Sequence, residues 1–178
     1  IYEPIIAGVR TICYNNGNIR FVNRKGFEIS GSYPELDFGD KINAQSCVLD
    51  GNIVIFDEYH NPNFRVLQLR EFTSEKSDIK KLSHKYPATY VVFDILSKDG
   101  ESLTSIPLIE RKRILSNTIA QSQKIQVISP TDNKKSMLHS VKKRGLPGIV
   151  AKRKNSKYKP GKSSQKWRKI RTDKIIDC

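Results

Sequence analysis

Residues 147–171, PGIVAKRKNSKYKPGKSSQKWRKIR, interleave a dense set of cations with Ile149, Val150, Tyr158, Trp167 and Ile170. Lysine and arginine at this density do the chemistry of phosphate: they neutralise a polyanion, and on a rigid strand they stabilise charge on a transferring phosphoryl group. From Lys142 onward there are 14 Lys or Arg against Asp173 and Asp177, whereas residues 1–141 hold 18 against 16 acids. The basicity is therefore local. A disordered tail has little use for the apolar and aromatic residues within it. The expectation is a folded basic surface that meets polyphosphate, nucleic acid above all.

Other chemistries are disfavoured. Cys13, Cys47 and Cys178 are odd in number and lack CxxC or Cys/His spacing, which argues against a disulfide framework and a zinc site and fits a reducing, intracellular compartment, cytoplasm or nucleus. His60, His84 and His139 also lack metal-type spacing, so no metal site is expected. No run approaches the roughly 18 apolar residues of a membrane span. The start, IYEPIIAGVR, carries no charged leader and reads as a truncation rather than a signal peptide. At 178 residues, 37% hydrophobic and 28% charged, the chain suits one soluble core.

The elements that must position the basic segment are legible in outline. Thr11 to Tyr14, the turn Asn15-Asn16-Gly17-Asn18 and the alternating Ile19 to Val22 predict a hairpin. A short helix is expected near Tyr33 to Leu36, then a strand from Cys47 to Phe56 with a bulge or close approach at Asp50-Gly51. Arg65 to Arg70 and Ser74 to His84 read as helices, and Thr89 to Leu96 as a strand ending in the turn Lys98-Asp99-Gly100. Pro107 at the first helical position opens a helix to about Gln121. A strand at Ile125 to Ile128, a helix capped by Thr131 or Asp132 and ended by Gly145, and strands at Gly148 to Arg153 and Lys166 to Arg171 follow. Lys157 to Gln165 is a Gly/Ser/Lys loop. There is no internal repeat and no regular βαβ period, so the class is α+β with mainly antiparallel sheets.

Five segments, YEPIIAGVR, VNRKGFE, VLDGNIVIFD, FDILSKDGESLTSIPLIERKRIL and GIVAKRKNSKYKPGKSSQKWRKIR, occur in an order and spacing that resemble the adenylation (nucleotidyltransferase) domain of ATP-dependent DNA ligases. The resemblance is in particular to the compact ligase domains of the DNA ligase D type found in end-joining repair. The resemblance implies a nucleotidyltransferase (ATP-grasp-like) fold over residues 1–172, with 173–178 starting a linker towards an OB-fold domain that is absent here.

In that family a lysine amine attacks the α-phosphate of ATP to form lysyl-AMP, and carboxylates hold a divalent metal. Against the family's first motif, Lys-x-Asp-Gly-x-Arg, Gly8 and Arg10 match, but the nucleophile aligns with Ile5 and the Asp with Ala7. The acid of the third motif aligns with Asn52, and that of the fourth, Glu-Gly-x-Val-x-Lys, with Pro147. The retained positions are implied binders: Glu3 for adenine, Arg10 for ribose, Phe93 for stacking on the base, Lys169 and Arg171 for the nucleotide phosphates, and Lys152 closing the fourth motif. Arg24 matches an arginine near the 5′-phosphate of a nick, and Arg153, Lys154, Lys157, Lys159 and Lys162 extend the basic face towards DNA.

The leading expectation is a catalytically inactive homologue, a pseudoenzyme without a resident cofactor or metal, that binds duplex DNA, nicks or ends beside other repair proteins. The alternative is an active DNA ligase adenylation domain with a non-standard nucleophile, using ATP and Mg and sealing nicks through an enzyme-AMP intermediate. An RNA ligase or capping relative shares the core motifs. Plainer roles stay open for single residues: Phe93 as a core aromatic, Trp167 as packing, Asp50 as a turn residue, and Glu3 paired with Arg10.

Overall fold

The structure is a computed structural model that describes residues 1–161 and 165–172. In chain order its strands and α-helices are β1 (Tyr2–Pro4), β2 (Val9–Asn15), β3 (Ile19–Asn23), β4 (Cys47–Ile55), α1 (Phe64–Phe72), α2 (Lys76–Lys85), β5 (Ala88–Lys98), β6 (Glu101–Ser102), α3 (Leu108–Thr118), β7 (Ile125–Val127), α4 (Lys134–Lys143), β8 (Gly148–Lys152) and β9 (Trp167–Arg171). Gly17, at φ 96°, takes the left-handed conformation that the β2–β3 hairpin turn requires.

One sheet runs β3-β2-β4-β5-β6, with β7 added parallel to β5; a second runs β1-β8-β9 and is antiparallel throughout. Side chains alternate across β5, so Val92 and Tyr90 enter one core with Cys13, Phe21 and Leu49, while Val91 enters another with Val54, Ile149 and Val141. Strand β5 is apolar on both faces because both are covered. The second core joins the two sheets, and α4 closes it over β1 and β8.

The bulge expected at Asp50-Gly51 is present as register shifts in the β4–β5 ladder. A Cβ at Gly51 would lie 2.6 Å from Val91 O and 2.8 Å from the Tyr90 ring, so glycine is what lets Tyr90 lie under β4 and donate its hydroxyl to Thr11 O and Leu49 O.

Three local expectations are corrected. Tyr33 to Leu36 forms turns after a 3₁₀ segment at Ser30–Ser32, because the buried Arg70 takes Ser32 O and Glu35 as partners and fastens the segment to α1. Pro107 caps α3 from outside, and that helix stops at Thr118. Asn133, rather than Thr131 or Asp132, caps α4 by accepting from Ser136 N. The expected linker at 173–178 lies outside the described residues. Among those described, no helix is long and apolar enough to cross a membrane.

Candidate functional site

The pairing of β1 with β8 sets Glu3 opposite Val150, so that Glu3 and Lys152 share a sheet face on the diagonal. Lys152 Nζ donates to Glu3 Oε2 at 2.6 Å. The second carboxylate oxygen forms a close ion pair with Lys112 Nζ, delivered by α3. All three side chains are at most 5% exposed. Two ammoniums thus surround one carboxylate in a buried cluster with one excess positive charge.

Burial alone would raise the Glu3 carboxyl, but the charges of Lys152 and then Lys112 outweigh it and hold the group below its ordinary value. Burial, reinforced by the charge of Lys152, lowers the Lys112 amine against the pull of Glu3.

A second layer of contacts lies over Phe93 on β5. The Arg10 guanidinium carbon is 4.6 Å from the Phe93 ring centroid and Lys152 Nζ is 5.0 Å from it, with Trp167 at 4.4 Å from the same ammonium. Arg10 is bidentate to Asp50, its Nε at 2.5 Å from Oδ1 and its Nη2 on Oδ2. Burial works against the Arg10 charge, but Asp50 outweighs it and raises the guanidinium above its ordinary value. Tyr158 donates its hydroxyl to Asp50 Oδ2 at 2.7 Å, and Trp167 Nε1 donates to Ser156 Oγ at 3.0 Å. Behind them the fully buried pair Arg111–Asp94 holds the loop through Ser156 O.

These contacts correct two of the plainer roles: Glu3 and Arg10 have separate partners, and Asp50 serves as the acceptor for Arg10 and Tyr158. Phe93 is 9% exposed and is both a core aromatic and the surface on which the cations sit.

The structure also brings together Ile5, Asn52 and Pro147, positions that the motif resemblance aligns with the nucleophile and acids. Ile5 N donates to Gly148 O at 2.8 Å, directly after Pro147, and Asn52 Nδ2 donates to Ile6 O at 2.8 Å. Ile5, Ala7 and Asn52 are half-buried, and Pro147 is exposed. Both Asp50 oxygens are taken by Arg10, and no group of three or more His, Cys, Asp or Glu among the described residues could hold a metal. The residues present do not fit a carboxylate-held divalent ion.

Of the basic positions, Lys169 and Arg171 lie opposite Val150 and Gly148 and are exposed without an ion pair among the described residues. Arg153, Lys157 and Lys159 are exposed in the loop after β8, while Lys154 is spent on Asp132 at 2.7 Å. Arg24 is exposed in the turn after β3, at an edge of the larger sheet rather than on the β8–β9 face. Lys162 lies outside the described residues.

Sequence reasoning missed Lys112 and Tyr158. A signal for Lys112 existed: Leu108, Arg111, Lys112, Leu115 and Thr118 follow helical spacing and are all buried, so Lys112 sits on the inner face of α3.

The profile of the ATP dependent DNA ligase domain matches residues 1–171, and the chain belongs to that family. It is 32% identical over 172 residues to the SPbeta prophage-derived DNA ligase-like protein LigB of Bacillus subtilis strain 168, covering 96% of this chain and 60% of that protein. It is 28% identical over 183 residues to DNA ligase C2 of Mycolicibacterium smegmatis, covering 99% of this chain and 51% of that one. The ligase domain of M. tuberculosis LigD superposes with a TM-score of 0.73 at 25% identity, over 96% of this chain and 52% of that one. The fold is therefore the DNA ligase nucleotidyltransferase fold, and the chain spans roughly half to three-fifths of the length of these relatives.

Proposed function

We propose that this domain is a ligase-type adenylation domain that does not form an enzyme-AMP adduct and retains a basic face for DNA in a repair or end-joining setting. The observation that carries the reading is the β1–β8 junction. There Ile5, which the motif resemblance aligns with the nucleophile, donates its N–H to Gly148 O, and Ala7, Asn52 and Pro147 bring no carboxylate beside it. An isoleucine side chain cannot form a phosphoramidate, and Asn52 offers a metal only a neutral oxygen.

The reading needs no resident nucleotide or metal: Glu3 and Arg10, the positions implied for adenine and ribose, are already engaged by Lys152, Lys112 and Asp50. The exposed cations Arg153, Lys157, Lys159, Lys169 and Arg171 support sequence-independent contacts to DNA phosphates, strongly weakened by salt.

One observation favours a second reading. Lys112 is a buried amine with a lowered pKa, the property of an activated nucleophile, and it would serve an active ligase domain using ATP and Mg. Incubation with labelled ATP and magnesium followed by intact-mass measurement separates the two. The proposal expects no adduct on the native chain and an adduct on the Ile5→Lys, Ala7→Asp, Asn52→Glu, Pro147→Glu reversion. A native adduct that disappears in Lys112→Arg would overturn it.

A further inference from the structure

Strand alternation gives the β1-β8-β9 sheet two unlike sides. Glu3, Val150, Lys152 and Lys169 share the side that meets Phe93. Pro4, Ile149 and Ile170 form one register row on the other side. That side is covered by α4, whose Met137, Leu138 and Val141 join the cluster of Tyr2, Ile149 and Ile170. The outer surface of α4 therefore points away from the candidate site.

At 3.6 residues per turn, Lys135, His139, Lys142 and Lys143 fall on one outer stripe opposite Val141, and all four are exposed. From Lys135 to Lys143 the stripe runs about 12 Å at 1.5 Å per residue, the axial length of about three to four nucleotides of duplex DNA. Arg168, in register with Ala151 and exposed, adds a cation to the same side of the sheet.

The charge of α4 is unlike that of its neighbours. Helices α2 and α3 mix signs and close the i,i+3 pairs Asp78–Lys81 and Glu110–Arg113. Helix α4 contains no acid, and Lys134, Lys135, Lys142 and Lys143 have no ion pair among the described residues. Lys134 and Lys135 also stand in the first turn, where the helix dipole disfavours cations. Solubility alone is served by mixed signs and requires neither feature. Of the acids near its ends, Asp132 is paired with Lys154, and Glu58 lies in the loop that Arg144 reaches through His60 O.

The packing also selects the kind of partner. The apolar side of α4 is already buried in the core, so a lipid surface would find nothing to take up. None of the large apolar side chains exposed among the described residues lies on α4, so a protein partner would lack an anchor there. A regularly spaced polyanion matches the stripe.

We propose that α4 is a second duplex-binding surface, back to back with the β8–β9 face, so that one domain bridges two DNA segments. The bridging rests on the DNA-binding reading of the β8–β9 face, whereas the α4 surface stands on its own residues.

The test uses the full chain with one duplex fixed to beads and a second, fluorescent duplex free in solution, beside the salt dependence of binding to a single duplex. Lys135→Gln/Lys142→Gln/Lys143→Gln changes the α4 stripe, and Lys157→Gln/Lys159→Gln/Lys169→Gln changes the other face. Lys76→Gln/Lys80→Gln/Lys85→Gln on α2 removes the same charge elsewhere. The native chain and the α2 variant are expected to carry the fluorescent duplex onto the beads. Each of the other two is expected to lose that capture while still binding one duplex. Combining them should lower the slope of log affinity on log salt below that of either alone, by about 0.9 for each phosphate contact removed. Capture that persists in the α4 variant, or is lost equally in the α2 variant, would overturn the surface. A native chain that binds one duplex without capturing a second overturns it too, and leaves DNA binding by the β8–β9 face intact. Binding abolished by the α4 variant and untouched by the β8–β9 variant would instead overturn the proposed face and the bridging, with α4 alone as the DNA surface. A native chain that binds no DNA overturns both.

Discussion

Lys152 and Glu3, 149 residues apart in the chain, meet with Nζ 2.6 Å from Oε2, both side chains almost wholly removed from water. The same ammonium faces the rings of Phe93 and Trp167. One lysine therefore ties β1 and β8 to β5 and β9, across the boundary between the two sheets.

Removing the carboxylate from this cluster should be costly. Glu3→Gln leaves Lys152 and Lys112 facing each other in a low-dielectric interior, and breaking a buried pair this way costs about 3–5 kcal/mol. Urea unfolding should show a loss of that order, partly recovered when Lys112→Met is added. A loss under about 1 kcal/mol would contradict the importance assigned to the cluster.

The same groups predict the pH dependence of stability. Glu3 in the folded chain sits below its ordinary 4.5, so as pH falls from there the unfolded chain takes up its proton first. The stabilisation from Glu3 is full above 4.5 and is lost as pH drops through the lower folded value. Lys112 sits below its ordinary 10.5, so on the alkaline side the folded chain releases its proton first and stability rises with pH until 10.5 is passed. Urea midpoints measured across pH should show a smaller acid-side fall in Glu3→Gln, with Asp40 and Asp132 keeping their share, and a smaller alkaline rise in Lys112→Met.

At Gly148, φ is 148° and the space for a Cβ is occupied by Ile170 O at 2.1 Å. Gly148→Ala should therefore displace β9 rather than merely strain β8. The expected result is a destabilisation above the ~1–3 kcal/mol typical of backbone strain alone, with faster hydrogen exchange at the β8–β9 ladder amides. Exchange unchanged along that ladder would show that the strands accommodate the methyl.

Asp50, fully buried, accepts from both Arg10 and Tyr158, and the two donors should differ in weight. Tyr158→Phe removes one hydrogen bond to a charged acceptor, about 1.5–3 kcal/mol. Arg10→Gln also removes the neutralising charge and should cost more. Thermal or urea unfolding of the two variants checks the order, and a larger loss in Tyr158→Phe would reverse the assignment.

Local physics made much of the scaffold legible in the chain itself. Asn16-Gly17 named the hairpin turn, the branched and aromatic run at Thr89 to Leu96 named the central strand, and Asp50-Gly51 named the bulge, because each depends on a few neighbouring residues. Caps and short turns were less legible. The segment at Tyr33 to Leu36 answers to Arg70, and the α4 cap fell to Asn133, one position past the residues favoured by sequence.

The order of the motifs by itself determined the family, and the residues at positions 5, 7, 52 and 147 by themselves determined the expectation, taken up in the proposed function, that the nucleophile and metal carboxylates are missing. Only the tertiary structure decided how the retained charges are spent. Lys112 joins Glu3 because α3 packs on β5, Asp50 takes Arg10 and Tyr158, and Lys154 is paired with Asp132. Pairing between side chains a hundred or more residues apart depends on strand register and helix placement, which composition and spacing do not carry.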